Sequence, residues 1–124
     1  MGITATAHHM SFPVRDLERS RGFYEGVLGL AQIERPALGV GGAWYAAGAC
    51  EVHLIEVPEG LEVGAPPPRL LPLDRHAAFA VDDYDQTREH LHGHGLEVVE
   101  NPAAGQMWVR DPDGHIIELI VVVR

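Results

Sequence analysis

The sequence contains a stretch that nearly repeats itself 67 residues later. His9 to Asp16 reads H-M-S-F-P-V-R-D, and His76 to Asp83 reads H-A-A-F-A-V-D-D. In both copies an aromatic residue follows the histidine by three positions, valine follows by five and aspartate by seven. Self-similarity at a fixed offset indicates a duplicated structural unit. This constrains the fold more than any local pattern does.

The repeat continues beyond these two stretches. Residues 28–30 recur as 94–96, Trp44 recurs as Trp108, and residues 52–55 recur as 117–120. The offset stays between 64 and 67, which needs only short insertions and deletions in loops. The alignment pairs His9 with His76 and His53 with Glu118. Four potential metal ligands therefore fall at two equivalent places in two copies.

Composition limits the class of protein. A chain of 124 residues with 46% hydrophobic residues predicts one soluble, globular domain over residues 1–124. Residues 1–7 lack the basic and apolar regions of a signal peptide, so we expect a cytoplasmic protein. The net charge of −9 disfavours nucleic acid and anionic membranes as partners. The single cysteine, Cys50, excludes an internal disulfide and is expected to be a small packed residue.

Alternation of apolar and polar residues predicts the first copy, module 1, over about residues 5–57. A strand over 5–14 is followed by a helix that Asp16 caps and Gly29 ends. Three short strands follow, at about 31–35, 43–47 and 51–57. Residues 58–74 are rich in proline and glycine and predict an extended linker.

The second copy, module 2, is predicted over about residues 75–124 with the same order of elements. Its strands are expected at 75–82, 96–100, 106–110 and 115–123, and its helix at 83–93. The predicted fold class is α+β, with two paired βαβββ modules forming a curved, cup-shaped mixed sheet and helices on the outside. The linker allows the modules to pair within one chain or to exchange between two.

In each first strand the histidine shares a face with small residues. Ser11 lies on the face of His9, and Ala78 and Ala80 lie on the face of His76, because strand side chains alternate. Small neighbours leave room for a ligand. Glu118 is the one charged residue in the apolar run 116–123, and a carboxylate there needs a partner or must point to water.

If the two modules face each other, His9, His53, His76 and Glu118 can converge on one point. Imidazole and carboxylate ligands with open positions suit a catalytic divalent ion of the first transition row. The other histidines are expected to be peripheral: His8 structural or exposed, His90, His92 and His94 exposed, and His115 exposed or in contact with the ligands from outside. Trp44, Tyr45 and Trp108 either line the pocket or belong to the core.

Three motifs carry a resemblance to a known family. They are H-x-x-x-x-V-x-D-L-E-R-S-x-x-F-Y-x-x-V-L-G-L at 9–30, H-x-x-F-x-V-D-D at 76–83 and D-P-D-G-H-I-I-E-L at 111–119. Together they resemble the vicinal oxygen chelate superfamily, which includes glyoxalase I, fosfomycin-resistance proteins, dioxygenases and bleomycin-resistance proteins. The resemblance implies a homodimer that binds a small-molecule substrate. It also implies one divalent ion (Mn, Fe, Ni, Co or Zn) per site, with His9, His76 and Glu118 as ligands.

His53 departs from the glyoxalase I pattern, which has a glutamate as ligand and base at this position. Histidine can serve as a fourth ligand or as an acid/base group near neutral pH. The resemblance leaves open a glyoxalase-like lyase or isomerase, a dioxygenase and a fosfomycin-type transferase. The alternative is a non-enzymatic, small-molecule or drug-binding module of the bleomycin-resistance kind. An anionic substrate would need cationic residues, and Arg35, Arg69 and Arg110 are candidates that the sequence does not place.

Overall fold

The computed structural model describes residues 2–122 and divides into two compact units between Leu61 and Glu62. Each unit has the element order strand, helix and three strands. Unit 1 contains β1 (His9–Val14), α1 (Leu17–Arg21) with a π-helical continuation (Gly22–Val27), β2 (Ala31–Ile33), β3 (Gly42–Ala47) and β4 (Cys50–Glu56). Unit 2 contains β5 (Ala77–Val81), α2 (Tyr84–Gly93), β6 (Val99–Asn101), a 3₁₀ turn (Pro102–Ala104), β7 (Gln106–Arg110) and β8 (Ile116–Val121).

The two sheets share one topology. Their strand orders are β1-β4-β3-β2 and β5-β8-β7-β6, with the first strand parallel to the last and the other neighbours antiparallel. Trp44 lies opposite His53 in unit 1, and Trp108 lies opposite Glu118 in unit 2. The register therefore repeats as the sequence alignment predicts. The α+β fold of two βαβββ modules is confirmed.

Both helices begin where an aspartate caps them. The Asp16 carboxylate accepts a hydrogen bond from the Arg19 amide at 3.1 Å, and the Asp83 carboxylate accepts one from the Gln86 amide at 2.8 Å. Each bond satisfies one of the amide donors that a first helical turn leaves unpaired. Beyond α1 and its continuation, Gly29 has a φ of 67°, a conformation that glycine adopts without a Cβ penalty.

The core of each unit lies between its helix and one face of its sheet. In unit 1 the buried residues on this side include Val14, Tyr24, Tyr45, Val52 and Leu54. In unit 2 they include Leu91, Met107, Val109, Ile117 and Leu119. Period-two alternation sends these side chains to the helix and leaves the opposite face to the residues of the candidate site.

A polar contact links helix and sheet within unit 1. The Tyr45 hydroxyl donates to Glu25 Oε2 at 2.7 Å, and Arg21 Nε donates to the same oxygen at 2.9 Å. Hydrogen bonding from Arg21, and then from Tyr45, lowers the pKa of the Glu25 carboxyl. Burial, followed by the bond to Glu25, raises the pKa of the Tyr45 phenol.

Several predicted boundaries were wrong by a few residues. β1 begins at His9 instead of residue 5, and β5 begins at Ala77, so His76 precedes its strand. β6 begins at Val99 instead of residue 96, because residues 96–98 do not pair with β7. Residues 58–74 contain no helix or strand, as predicted for the linker. Cys50 is half-buried and directs its thiol to the Ala7 carbonyl at 3.8 Å.

Two expectations about the pairing of the modules stay predictions. One is that the two modules face each other in a cup, and the other is that they form a single domain. Within the part of the chain that the structure describes, residues 2–122, there is no helix with the length and hydropathy to cross a membrane.

Candidate functional site

The imidazole of His76 meets the carboxylate of Glu118 in unit 2. His76 Nε2 lies 2.9 Å from Glu118 Oε1. Glu118 lies in the middle of β8 and is buried, whereas His76 stands at the entrance to the neighbouring strand β5. The partner that a carboxylate in an apolar run requires is therefore the histidine of the repeat.

Two further donors hold the Glu118 carboxylate in place. The Trp108 indole N–H donates to Oε1 at 3.0 Å, and the Gln106 amide donates to Oε2 at 3.1 Å. Both residues come from β7, and they share the face of Glu118 because they are two positions apart. The carboxylate is thus oriented by two neutral donors, one on each oxygen.

A backbone carbonyl selects the tautomer of His76. His76 Nδ1 lies 2.7 Å from the Asp74 carbonyl oxygen, and a carbonyl can only accept. Nδ1 therefore carries the proton, and the lone pair of the neutral ring is on Nε2, directed at Glu118. This is how a metal-binding histidine is oriented by its other nitrogen. A ring lone pair and a carboxylate oxygen 2.9 Å apart are two electron-rich atoms, and an ion between them would relieve their repulsion.

In unit 1 the rings of His9, His53 and Trp44 form one stack. The His9 and His53 centroids are 4.0 Å apart at an interplanar angle of 17°, and those of His53 and Trp44 are 4.0 Å apart at 5°. The register of β1, β3 and β4 produces the stack, because it brings all three residues onto one face. Parallel rings direct their nitrogen lone pairs side by side instead of at one point.

The ring nitrogens of this stack have other partners. His53 Nε2 lies 2.9 Å from Glu51 Oε1, and His9 Nδ1 lies 2.8 Å from His8 Nδ1. The hydrogen bond with His53, with smaller contributions from His8 and His9, lowers the pKa of the Glu51 carboxyl. Glu51 is therefore an anion beside His53 at neutral pH, and it accepts a hydrogen bond from the facing ring nitrogen.

The donor chemistry of His76 and Glu118 fits a divalent ion. A buried carboxylate faces an imidazole lone pair whose tautomer is already set, and both ligand types suit first-row metals. Within neither unit, over residues 2–122, do three histidine, cysteine, aspartate or glutamate side chains form a group that could hold a metal ion. The predicted ligands thus occur in two pairs: His76 with Glu118 in unit 2, and His9 with His53 in unit 1.

The remaining predicted residues divide between surface and core. His8, His90, His92 and His94 are exposed, as expected, and His115 is half-buried. Trp44 and Trp108 lie on the face of the candidate site. Tyr45 is fully buried on the helix side and belongs to the core.

Sequence reasoning missed Gln106 and Glu51. Gln106 could have been found by parity, because it lies two positions before Trp108 on the same strand. Glu51 stands in the same relation to His53, but a partly exposed glutamate at a strand end carries no signal that separates it from an ordinary surface residue.

Comparisons with known proteins agree with this fold. The family model of the Glyoxalase/Bleomycin resistance protein/Dioxygenase superfamily matches residues 6–119. The chain therefore belongs to this superfamily, and the resemblance seen in its motifs is confirmed.

Particular relatives come from plants and bacteria. Glyoxylase I 4 of Arabidopsis thaliana is 29% identical over 119 residues, which cover 90% of this chain and 68% of that protein. The structure of a glyoxalase family protein from Bacillus anthracis is similar with a TM-score of 0.78, 25% identity and 99% coverage of both chains. The fosfomycin resistance protein FosX from Mesorhizobium loti has a TM-score of 0.70 and 25% identity, covering 98% of this chain and 94% of its own.

Proposed function

We propose that this chain is a divalent-metal-dependent enzyme of the vicinal oxygen chelate type that acts on a small oxygenated substrate. The observation that carries the proposal is the pair formed by His76 and Glu118. A carboxylate buried in a strand is costly unless a cation or donors compensate it. Here two neutral donors orient it and an imidazole lone pair faces it, which is an arrangement that suits a metal ion better than a structural role.

In this proposal His9, His76 and Glu118 hold one ion per site, in a homodimer. A bound divalent ion with open positions would polarise a carbonyl, hydroxyl or phosphonate oxygen of the substrate. The His76 tautomer and the Glu118 orientation are established by Asp74, Trp108 and Gln106 before any ligand arrives. Such preorganisation reduces the rearrangement that binding requires.

We assign His53 the role of acid/base group in preference to fourth ligand. Glu51 accepts a hydrogen bond from His53 Nε2–H and thereby places the imidazole lone pair on Nδ1. Nδ1 can then accept a proton from the substrate, and the Glu51 carboxylate stabilises the resulting imidazolium. Trp44 and His9 stack on the two faces of the ring and restrict its rotation. A carboxylate that fixes the tautomer, an imidazole with a free nitrogen and stacked rings that fix its orientation together make His53 suitable as a base.

The alternative is a binding module without chemistry, which one observation favours. Trp44, His53 and His9 stack face to face, and a planar apolar ligand would extend this stack by packing on the outer face of an end ring. This alternative predicts ligand binding that is insensitive to chelators.

Elemental analysis of protein purified without added metal or chelator tests the metal proposal. We expect about one ion per chain in the parent protein, and loss of that ion in the His9→Ala and Glu118→Ala variants. The matched control is His92→Ala, an exposed histidine on α2, which should retain the ion. His53→Ala should retain it as well if His53 is the base, and should lose it if His53 is a ligand.

The metal proposal also has an outcome that contradicts it. A parent protein that contains no ion, and takes up none when Mn, Fe, Co, Ni or Zn is added, would exclude the metal enzyme and leave the binding module.

A further inference from the structure

Arg35 lies across the sheet of unit 1 at Gly42. A Cβ atom built on Gly42 would collide with the Leu54 carbonyl oxygen and would stand 2.9 Å from both Arg35 Nε and Arg35 Nη2. Glycine therefore leaves the room that the carbonyl and the guanidinium occupy. Arg35 Nη2 donates to the Val40 carbonyl at 2.8 Å, and this bond orients the guanidinium.

By strand parity the guanidinium at Gly42 is assigned to the face of the sheet that carries Trp44 and His53. Gly42 and Trp44 are two positions apart on β3, and Trp44 stacks on His53. Two residues along a strand span about 7 Å. Arg35 thus stands one step along the strand from the proposed acid/base group.

The charge of Arg35 has no partner of opposite sign in the described chain. Its Nε is buried and makes no hydrogen bond, and over residues 2–122 no carboxylate lies within 4.0 Å of the guanidinium. By contrast, Arg21 contacts Glu18 and Glu25, and Arg88 contacts Asp85 and Glu100. A half-buried guanidinium with an orphan donor costs stability unless something else compensates it.

We propose that Arg35 binds an acidic group of the substrate, a carboxylate or a phosphonate. This group would lie about two strand residues away from the substrate atom whose proton His53 accepts. Guanidinium groups bind such oxyanions with charge-assisted bonds, and the end-on pair of Nη1 and Nη2 keeps hydrogens beyond the one that Nη2 gives to the Val40 carbonyl. The net charge of −9 repels anions from the chain as a whole, so an acidic substrate requires a local cation of this kind. The proposal rests on the proposed function and narrows its substrate class to small oxygenated acids.

Two matched probes test the inference on the metal-loaded protein. Acetohydroxamate is a neutral chelator with two adjacent oxygens, and the monohydroxamate of succinic acid adds one distal carboxylate. We expect the acidic probe to bind the parent about tenfold more tightly, because one charge-assisted contact is gained. In Arg35→Gln this preference should disappear. In Arg19→Gln, an exposed arginine of α1 with the same change of charge, it should persist.

A second measurement does not depend on the metal. Inorganic phosphate, added to the protein in the presence of a chelator, should raise the melting temperature of the parent and of Arg19→Gln but not that of Arg35→Gln. If phosphate acts in this way while neither hydroxamate binds, the metal proposal fails and the role of Arg35 stands. If the probes bind equally to the parent, or phosphate acts equally on parent and Arg35→Gln, the role of Arg35 is overturned.

Arg35→Lys separates recognition from folding. It keeps the positive charge and an apolar stem but loses the planar fork, so circular dichroism should show a folded protein. We expect its preference for the acidic probe to fall at least about threefold from that of the parent, because the ammonium lacks the bidentate geometry. An undiminished preference in a folded Arg35→Lys variant would contradict binding through the fork.

Discussion

Trp108 and Glu118 lie directly opposite each other on β7 and β8, and the indole N–H donates to the carboxylate at 3.0 Å. Cross-strand register alone brings them together, because ten residues separate them in the chain. The same carboxylate oxygen faces the His76 imidazole. Trp108 therefore determines where the negative charge of the candidate site is presented.

Removing the indole donor should weaken the metal site. Trp108→Phe keeps an aromatic ring but removes the bond to Glu118, and loss of a hydrogen bond to a metal ligand costs about 10- to 100-fold in affinity. Competition with a chromophoric chelator measures this affinity. Trp44→Phe is the control, because Trp44 is the equivalent tryptophan of unit 1 and contributes a stacked ring there. An equal loss in both variants would indicate a general effect of tryptophan removal.

Replacing the Glu118 carboxylate should lower the free energy of unfolding of the metal-free protein. In Glu118→Leu the acceptor is lost, so the buried indole N–H of Trp108 and the amide of Gln106 lose the carboxylate to which they donate. A buried donor left without an acceptor costs about 1–3 kcal/mol. Urea unfolding in the presence of a chelator measures the change. Glu97→Gln, an exposed change in the same unit, should stay within about 0.5 kcal/mol of the parent.

Glu25 should make the free energy of unfolding depend on pH in the acid range. Its pKa is lowered by Arg21 and Tyr45, so the folded state releases this proton at lower pH than the unfolded state does. The contribution to stability is present above the unfolded pKa, about 4.3, and is lost as pH falls through the folded value. The stability difference between parent and Glu25→Gln, measured by urea unfolding, should therefore be largest near neutral pH and shrink below about pH 4.

The control for this titration is Glu59→Gln, an exposed residue of the same unit. It should follow the parent at every pH. A Glu25→Gln variant that loses the same stability at pH 3 and pH 7 would show that the carboxyl charge has no part in the contact with Arg21.

Two glycines of unit 2 should respond to alanine in opposite directions. Gly105 has a φ of 69°, and an added Cβ would stand 2.9 Å from the Val121 carbonyl oxygen. Gly105→Ala should destabilise the protein by at least about 1 kcal/mol, because a left-handed conformation alone costs this much. Gly93, the last residue of α2, has open space around it, so Gly93→Ala should be neutral or stabilising by up to about 1 kcal/mol. Thermal unfolding compares the two, and destabilisation by both would contradict the geometry.

Much of the fold followed from local pattern. Asp16 and Asp83 were recognisable as caps because the bond that each makes is to an amide three residues away. Strand ends were less predictable: residues 5–8 and 96–98 have the composition of strands but do not pair in the ladders. Whether a strand end pairs depends on the length of its neighbour, which is a property of the sheet and not of the segment.

The sequence by itself determined the duplicated architecture, the faces on which His9, His76, His53 and Glu118 lie, and the equivalence of the two copies. Repeat spacing and period-two alternation are encoded in adjacent residues, so they can be read without a structure. Only the tertiary structure decided that Trp108 and Gln106 hold Glu118, and that Arg35 lies over Gly42 with its Nε buried and without a hydrogen bond. Such contacts arise from the register between segments and the absence of a side chain at one position, which no single segment specifies.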